Sequence, residues 1–323
     1  MTKQIFRDLL FKKDLNNCNK YLSDHLPGLD LVQIINDLIF VSASVSSDKK
    51  IHPICVINSI KNLISDDRDN PSIILLQFAL EYLYDFNFRL NDKIILEETV
   101  KNGIGEIAFI SDLEDACQIN NWEEAQVLAA KVFLASDQSR AVMDSLVEIA
   151  LQDVEKNALF TFHLLRAYQF QSLKEDNWVY TKCILDHLIG KPLPDPHQFK
   201  VMDLDKFKSD MIYQLDPTLF SPILRILDGE YVRSRGYERE LSYWINSKNN
   251  GEYKLSTKIK IKNMDEISPS YYINIAESII INSKLKNQIA SSLVTLESLR
   301  YLTNKKNNET QSFLRERINK LVE

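Results

Sequence analysis

The sequence predicts an all-α protein built of stacked antiparallel helical hairpins, a bundle grading into a solenoid, with at most a short strand near residues 252–262. Three observations carry this. Only seven glycines occur in 323 residues, too few for the many tight turns of a doubly wound sheet or a barrel. Apolar residues recur at helical spacing along most of the chain. The connections between those periodic segments are short, which makes consecutive helices antiparallel neighbours.

Taken in order, residues 2–12 pair Ile5 with Leu9 and Phe6 with Leu10 at i, i+4, as one face of a short helix. A second helix over about 15–26 stops at Pro27-Gly28. Asp30 is expected to cap a third, running to about Val45. His52-Pro53 opens the next, with Pro53 in the first turn, where its missing N–H costs nothing. That helix ends in the polar run 65–70. Pro71 starts a fifth, and Asn91 or Asp92 a sixth that ends at Gly103.

Residues 107–171 then read as four helices joined by turns near Asn120-Asn121, Ser136-Asp137 and Asp153. The last of these, 155–171, is apolar on every side, the signature of a helix buried in a large core. A further helix over about 176–189 stops at Gly190.

Residues 191–202 hold Pro192, Pro194 and Pro196, a third of the chain's nine prolines. Alternating prolines favour extended backbone, so this stretch is expected to link an N-terminal helical domain, 1–190, to a C-terminal one, 203–323. Beyond it, helices are expected at about 204–214, 217–227, 230–246, 269–283, 285–303 and 308–322. The exception is 252–262, where Tyr253, Leu255, Thr257, Ile259 and Ile261 alternate with lysines and serine, the period of a strand with a solvated lysine face.

Composition narrows function mostly by exclusion. With 45% hydrophobic and 26% charged residues, the chain matches an average globular protein. A net charge of −6 gives no basic footprint for nucleic acid. The lysines from Lys248 to Lys262 have one aromatic neighbour, Tyr253, where a single-strand binder wants several stacking residues. Residues 1–13 lack the apolar core of a secretory signal. The most apolar long segment, 29–45, carries Asp30, Gln33, Asn36 and Asp37, so it reads as a core helix and no membrane partner is expected. Cys18, Cys55, Cys117 and Cys183 stand singly, as reduced thiols do in the cytoplasm, the expected location.

No cofactor or metal is expected. GIGEIA at 103–108 fits the glycine pattern of a dinucleotide loop but lies between two helical stretches, where a helix stop followed by a helix start explains it better. No HExxH, GxSxG or GxxxxGK[ST] pattern occurs. Cys183 and His187 have zinc-ligand spacing, without a second half to complete a site.

The best polar constellation is His163 and Arg166, one turn apart in the 155–171 helix, with His52 as a third candidate and Glu148, Asp153 or Glu155 as counter-charges. A histidine can act as general base near neutral pH and an arginine can clamp a carboxylate or phosphate. The competing reading is a buried polar network that fixes helix register.

Leu113, Ala116, Asn121-Trp122-Glu123-Glu124-Ala125, Ala129 and Val132 resemble one tetratricopeptide unit, which implies a packed helical hairpin; the 34-residue period of a tandem array is not repeated on either side. The order of a His52-Pro53 helix, a hairpin around Trp122 and a His163 helix is similar to all-helical bacterial proteins of a questin-oxidase-like group. No catalytic motif of that group matches residue by residue, so no activity is carried over. Two functions follow as expectations. The first is a protein–protein interaction or scaffold module that takes a protein or peptide partner. The alternative is a helical enzyme, an oxidoreductase in one version, with a pocket lined by buried His163 and Arg166.

Overall fold

A computed structural model describes residues 5–26, 30–46, 51–103, 108–171, 173–200, 212–213, 215–248, 268, 270–304 and 308–321. The fold is all-α. Among the described residues the one β-type pairing is an isolated antiparallel bridge between Val45 and Phe88. The 252–262 strand, the 204–211 part of the expected helix and the Ile104–Ile107 part of GIGEIA lie outside the described residues.

The N-terminal elements are α1 (Ile5–Phe11), α2 (Leu15–His25), α3 (Leu31–Ala43), α4 (Pro53–Ile64), α5 (Ile73–Leu83) and α6 (Ile94–Lys101). Their starts show which residue types satisfy the free N–H groups of a first turn. Asp14 accepts from the Asn17 N–H, and His52 Nδ1 from the Ile54 N–H directly before Pro53. Two expected starts are corrected. Asp30 occupies the cap position of α3 without a side-chain cap bond, and α5 begins not at Pro71 but two residues later, with Ser72 accepting from the Leu75 N–H.

Next come α7 (Ile110–Gln118), α8 (Trp122–Ala135), α9 (Ala141–Ala150), α10 (Val154–Phe170) and α11 (Asn177–Leu188). The turn into α8 puts Asn120 at φ +59°, and Asn121 caps the helix; Asp137 and Gln138, at φ +55° and +58°, turn the chain out of it. These left-handed positions suit Asn and Asp better than most residues. In the α7–α8 hairpin, Leu113, Ala116, Ala125, Ala129 and Val132 are buried, the small alanines letting the two helices approach.

After the extended proline segment come α12 (Pro217–Leu227), α13 (Ser234–Lys248), α14 (Tyr271–Asn282), α15 (Lys286–Asn304) and α16 (Asn308–Asn319). Pro222 sits inside α12, where it removes one intrahelical hydrogen bond. The proline segment is tied down at His197, whose ring stacks on Tyr243 at 3.6 Å and whose Nδ1 lies 2.6 Å from the fully buried Glu240.

The two sides of that segment share one hydrophobic core. Helix α10 is its spine, packed by α4 and α12, while α15 lies against both α4 and α12. That explains why α10 is apolar around nearly its whole circumference: neighbours cover it on several sides. Buried polar contacts join further elements. Arg7 in α1 spans Asp37 of α3, at 2.9 Å, and Asp176 ahead of α11, at 3.0 Å. Tyr237 of α13 donates to the Asp144 carbonyl of α9 at 2.9 Å. Among the described residues no helix is long and apolar enough to cross a membrane.

Candidate functional site

Helix α10 divides the expected constellation instead of gathering it. His163 is fully buried on the side facing α4, where the Asn58 amide nitrogen donates to Nδ1 over 2.8 Å. Nε2 and the Asn58 Oδ1 have no partner among the described residues. Burial, with the Arg225 and Lys61 cations adding to it, pushes the ring's pKa down to about 3, against a smaller opposing pull from Glu297. The imidazole is therefore neutral at pH 7. Arg166, three residues on, is exposed and donates to Gln169 Oε1 at 2.9 Å. The expectation of a pocket lined by both buried residues is corrected: their 300° separation along the 100°-per-residue helix, only about 60° apart in projection, straddles the edge of the packed face, and His163 lines neither cavity beside the helix.

His52 makes its contacts with other side chains. Its ring meets Phe160 edge-on at 5.0 Å, and its Nε2 lies 3.7 Å from Cys183 Sγ. Burial, reinforced by His187 and by the Arg89 and Lys191 cations, holds its pKa well below the usual histidine range. His187 stacks on Phe160 at 3.8 Å, and its Nε2 contacts Asn157 at 3.0 Å. Cys183 and His187 thus have separate contacts, and burial pushes the Cys183 thiol up to about 12. Among the described residues no group of three or more His, Cys, Asp or Glu side chains gathers as a metal site. The expected counter-charges are also committed elsewhere. Glu148 pairs with Arg233 and Arg239, Asp153 with Lys156, and Glu155 with Lys248.

What Arg166 does reach is a cleft of about 660 Å³ between α10, the end of α12 and α15, with Asn62 of α4 at its floor. Its centre is Glu297, 1% exposed. The Arg225 guanidinium forks onto this carboxylate, Nη2 to Oε1 at 2.7 Å and Nη1 to Oε2 at 2.9 Å, and Asn62 donates to Oε1 at 2.8 Å. Burial works to raise the Glu297 pKa, but Arg225 and these hydrogen bonds outweigh it and leave it below the ordinary carboxylate value. Arg225 is also stacked, 4.0 Å from the Tyr301 ring centroid and 4.9 Å from that of Phe162. Arg300 forks onto Asp66, and Tyr301 donates to Asp228 at 3.1 Å. Among the described residues of the cleft wall, Arg166 is the arginine left without a carboxylate.

Arg225, Glu297 and Asn62 escaped the sequence reading. A signal existed: Arg225 stands within Pro-Ile-Leu-Arg-Ile-Leu and Glu297 within Leu-Val-Thr-Leu-Glu-Ser-Leu, charged residues inside apolar runs that are seldom buried unless paired.

No protein-family model matches the chain, and no curated protein or solved structure matches it either.

Proposed function

We propose that the chain is a protein-binding module of the cytoplasm that takes an extended, partly acidic segment of a partner protein into the cleft between α10, α12 and α15. The observation that carries this reading is the charge state of the cleft. Arg225 and Arg300 already hold Glu297 and Asp66, while Arg166 is exposed and lacks a carboxylate among the described residues; Glu230, an acid of the lining without an ion pair among them, stands between α12 and α13. Tyrosines 231 and 301 line the same cleft, and tyrosine supplies broad contact area at little entropic cost, as at other protein interfaces. The α7–α8 hairpin, with its tetratricopeptide resemblance, supports the reading by analogy of fold only. The cytoplasmic setting rests on four buried, unbridged cysteines.

The test is a random-peptide display selection against the full chain. Enriched peptides are then measured by fluorescence anisotropy on three variants. Gln169→Trp, which fills the cleft, and Arg166→Glu, which reverses its free charge, are expected to weaken binding at least tenfold. Ile119→Glu, at the exposed α7–α8 turn, is expected to change nothing. The proposal fails if no peptide enriches, or if the selected peptides bind the two cleft variants as tightly as the wild type.

A further inference from the structure

On the other side of Arg166 lies a second, smaller cavity of about 280 Å³, between α3, α4 and α10. Its body is apolar: Ile35 of α3, Ile64 of α4 and Phe170 of α10 face it. Its charged groups are of one sign, beside the neutral Asn62 and Ser65. Lys61, Arg68 and Arg166 line it, and no carboxylate does so among the described residues. Neither Lys61 nor Arg68 has an ion pair among the described residues, although the chain carries a net charge of −6 and Arg7, Arg89, Arg140, Arg225 and Arg300 are each matched with an acid.

Lys61 is the telling member. Its ammonium is partly buried, with the Phe170 ring centroid 4.7 Å away as its one described electrostatic contact at close range. The charged groups acting on it come from every packed side: Arg166 and the neutral His163 on α10, Arg225 on α12 and Glu297 on α15, with α3 contributing apolar residues only. Glu297 is already consumed by Arg225 and Asn62. Burial first, then Arg166 and Arg225, push the Lys61 pKa down to about 8, with Glu297 opposing them. An ammonium held in an apolar recess beside two guanidiniums, without a counter-ion of its own among the described residues, is a destabilising arrangement that an incoming anion relieves.

We propose that this cavity binds a small amphipathic carboxylate, an aliphatic acid of medium length, with its tail against Ile35, Ile64 and Phe170 and its head group between Lys61, Arg68 and Arg166. The size favours this class. The volume lies at the small end of ligand pockets, too small for a folded partner. An inorganic anion would meet the cations but leave the apolar body uncovered, and a neutral lipid would leave the cations unmatched. The site adjoins the peptide cleft and shares Arg166 and Asn62 with it, while Gln169 and Tyr231 line the cleft alone, so the two sites can be tested apart.

The experiment is calorimetric titration of the full chain with sodium octanoate below its micelle concentration, beside 1-octanol and inorganic phosphate. Octanoate is expected to bind saturably at one site, octanol at least tenfold more weakly, and phosphate without measurable heat or competition. Lys61→Met keeps the apolar stem and removes the charge. It is expected to cost at least tenfold in octanoate affinity while melting at or above the wild-type temperature, because it removes an unmatched buried cation. Arg68→Gln supplies a second, more exposed variant, with a loss of about threefold. Gln169→Trp is expected to leave octanoate binding intact, so failure of the cleft reading and failure of this one give different results. Absent saturation by octanoate, equal binding of octanol, or unchanged affinity in Lys61→Met each overturns the proposal.

Discussion

Replacing Glu297 by Gln keeps the shape of the side chain and removes the one charge that balances Arg225 in the interior. In the native protein the carboxylate accepts three hydrogen bonds, two from Arg225 and one from Asn62, while 1% exposed. In the variant the Gln amide directs an N–H group at the guanidinium, which leaves a buried cation without its partner. Breaking a buried pair from one side costs about 3–5 kcal/mol, far more than the pair contributes relative to an apolar replacement. At about 2.1 cal/mol/K of unfolding entropy per residue, 323 residues give about 0.7 kcal/mol/K, so the loss becomes a fall of about 4–7 °C in melting temperature. The assay is urea unfolding followed by circular dichroism, with calorimetry for the melting temperature. Arg225→Met should lose a similar amount, and the Arg225→Met, Glu297→Met double variant should recover to within about 2 kcal/mol of wild type, since neither charge is then stranded. Single-variant losses below about 1 kcal/mol, or a double variant whose loss equals the sum of the two, would refute the view that this pair is closed and mutually dependent.

Two further outcomes concern groups outside the cleft. His163 has a folded pKa of about 3 against an unfolded value near 6.5, so the unfolded chain takes up the proton first. Its stabilising contribution is whole above pH 6.5 and declines as pH falls toward 3, by about 2 kcal/mol at pH 5. His163→Gln should therefore cost about 1 kcal/mol at pH 7, the scale of a buried hydrogen bond, yet show a shallower loss between pH 7 and pH 5 in urea midpoints; an unaltered slope would mean that the ring does not titrate in this way. Arg7→Ala strands Asp37 and Asp176, whose carboxyls are already raised by burial despite the Arg7 guanidinium. It should cost about 3–5 kcal/mol at pH 7 and release amide protons of α1 to hydrogen exchange. Protection of α1 equal to wild type would contradict the pairing.

The helices were legible because their signals are local. Pro53, Asn121 and Asp153 mark starts, and the 217–227 helix has the bounds that its apolar spacing predicts. Errors arose where two residues compete for one role, as Pro71 and Ser72 do at the start of α5: serine has the hydroxyl that the first turn needs, and proline precedes it. The candidate site was less legible. His163 and Arg166 stand out by type, but whether a polar residue in an apolar helix is enclosed or exposed depends on how far the neighbouring helices reach around it, which no spacing within α10 encodes. Arg225 and Glu297 are 72 residues apart, and each alone reads as an ordinary charged helix position. The cleft exists only as a relation between segments on opposite sides of the proline stretch.

That relation sets a timetable for the nascent chain. Asn62 meets Glu297 across 235 residues, Asp66 meets Arg300 across 234, and Ser72 meets Glu277 across 205. At a ribosomal rate of about 5–20 residues per second, roughly 10–50 s separate the emergence of α4 from that of the helix that covers it. During that interval α4 presents an apolar face with nothing to close it, and early helices packed only on one another must wait for the last fifth of the sequence. Chains released early, before α15, would leave the ribosome with that face still open. In the cell they are substrates for chaperones and proteases before they are partners for anything else.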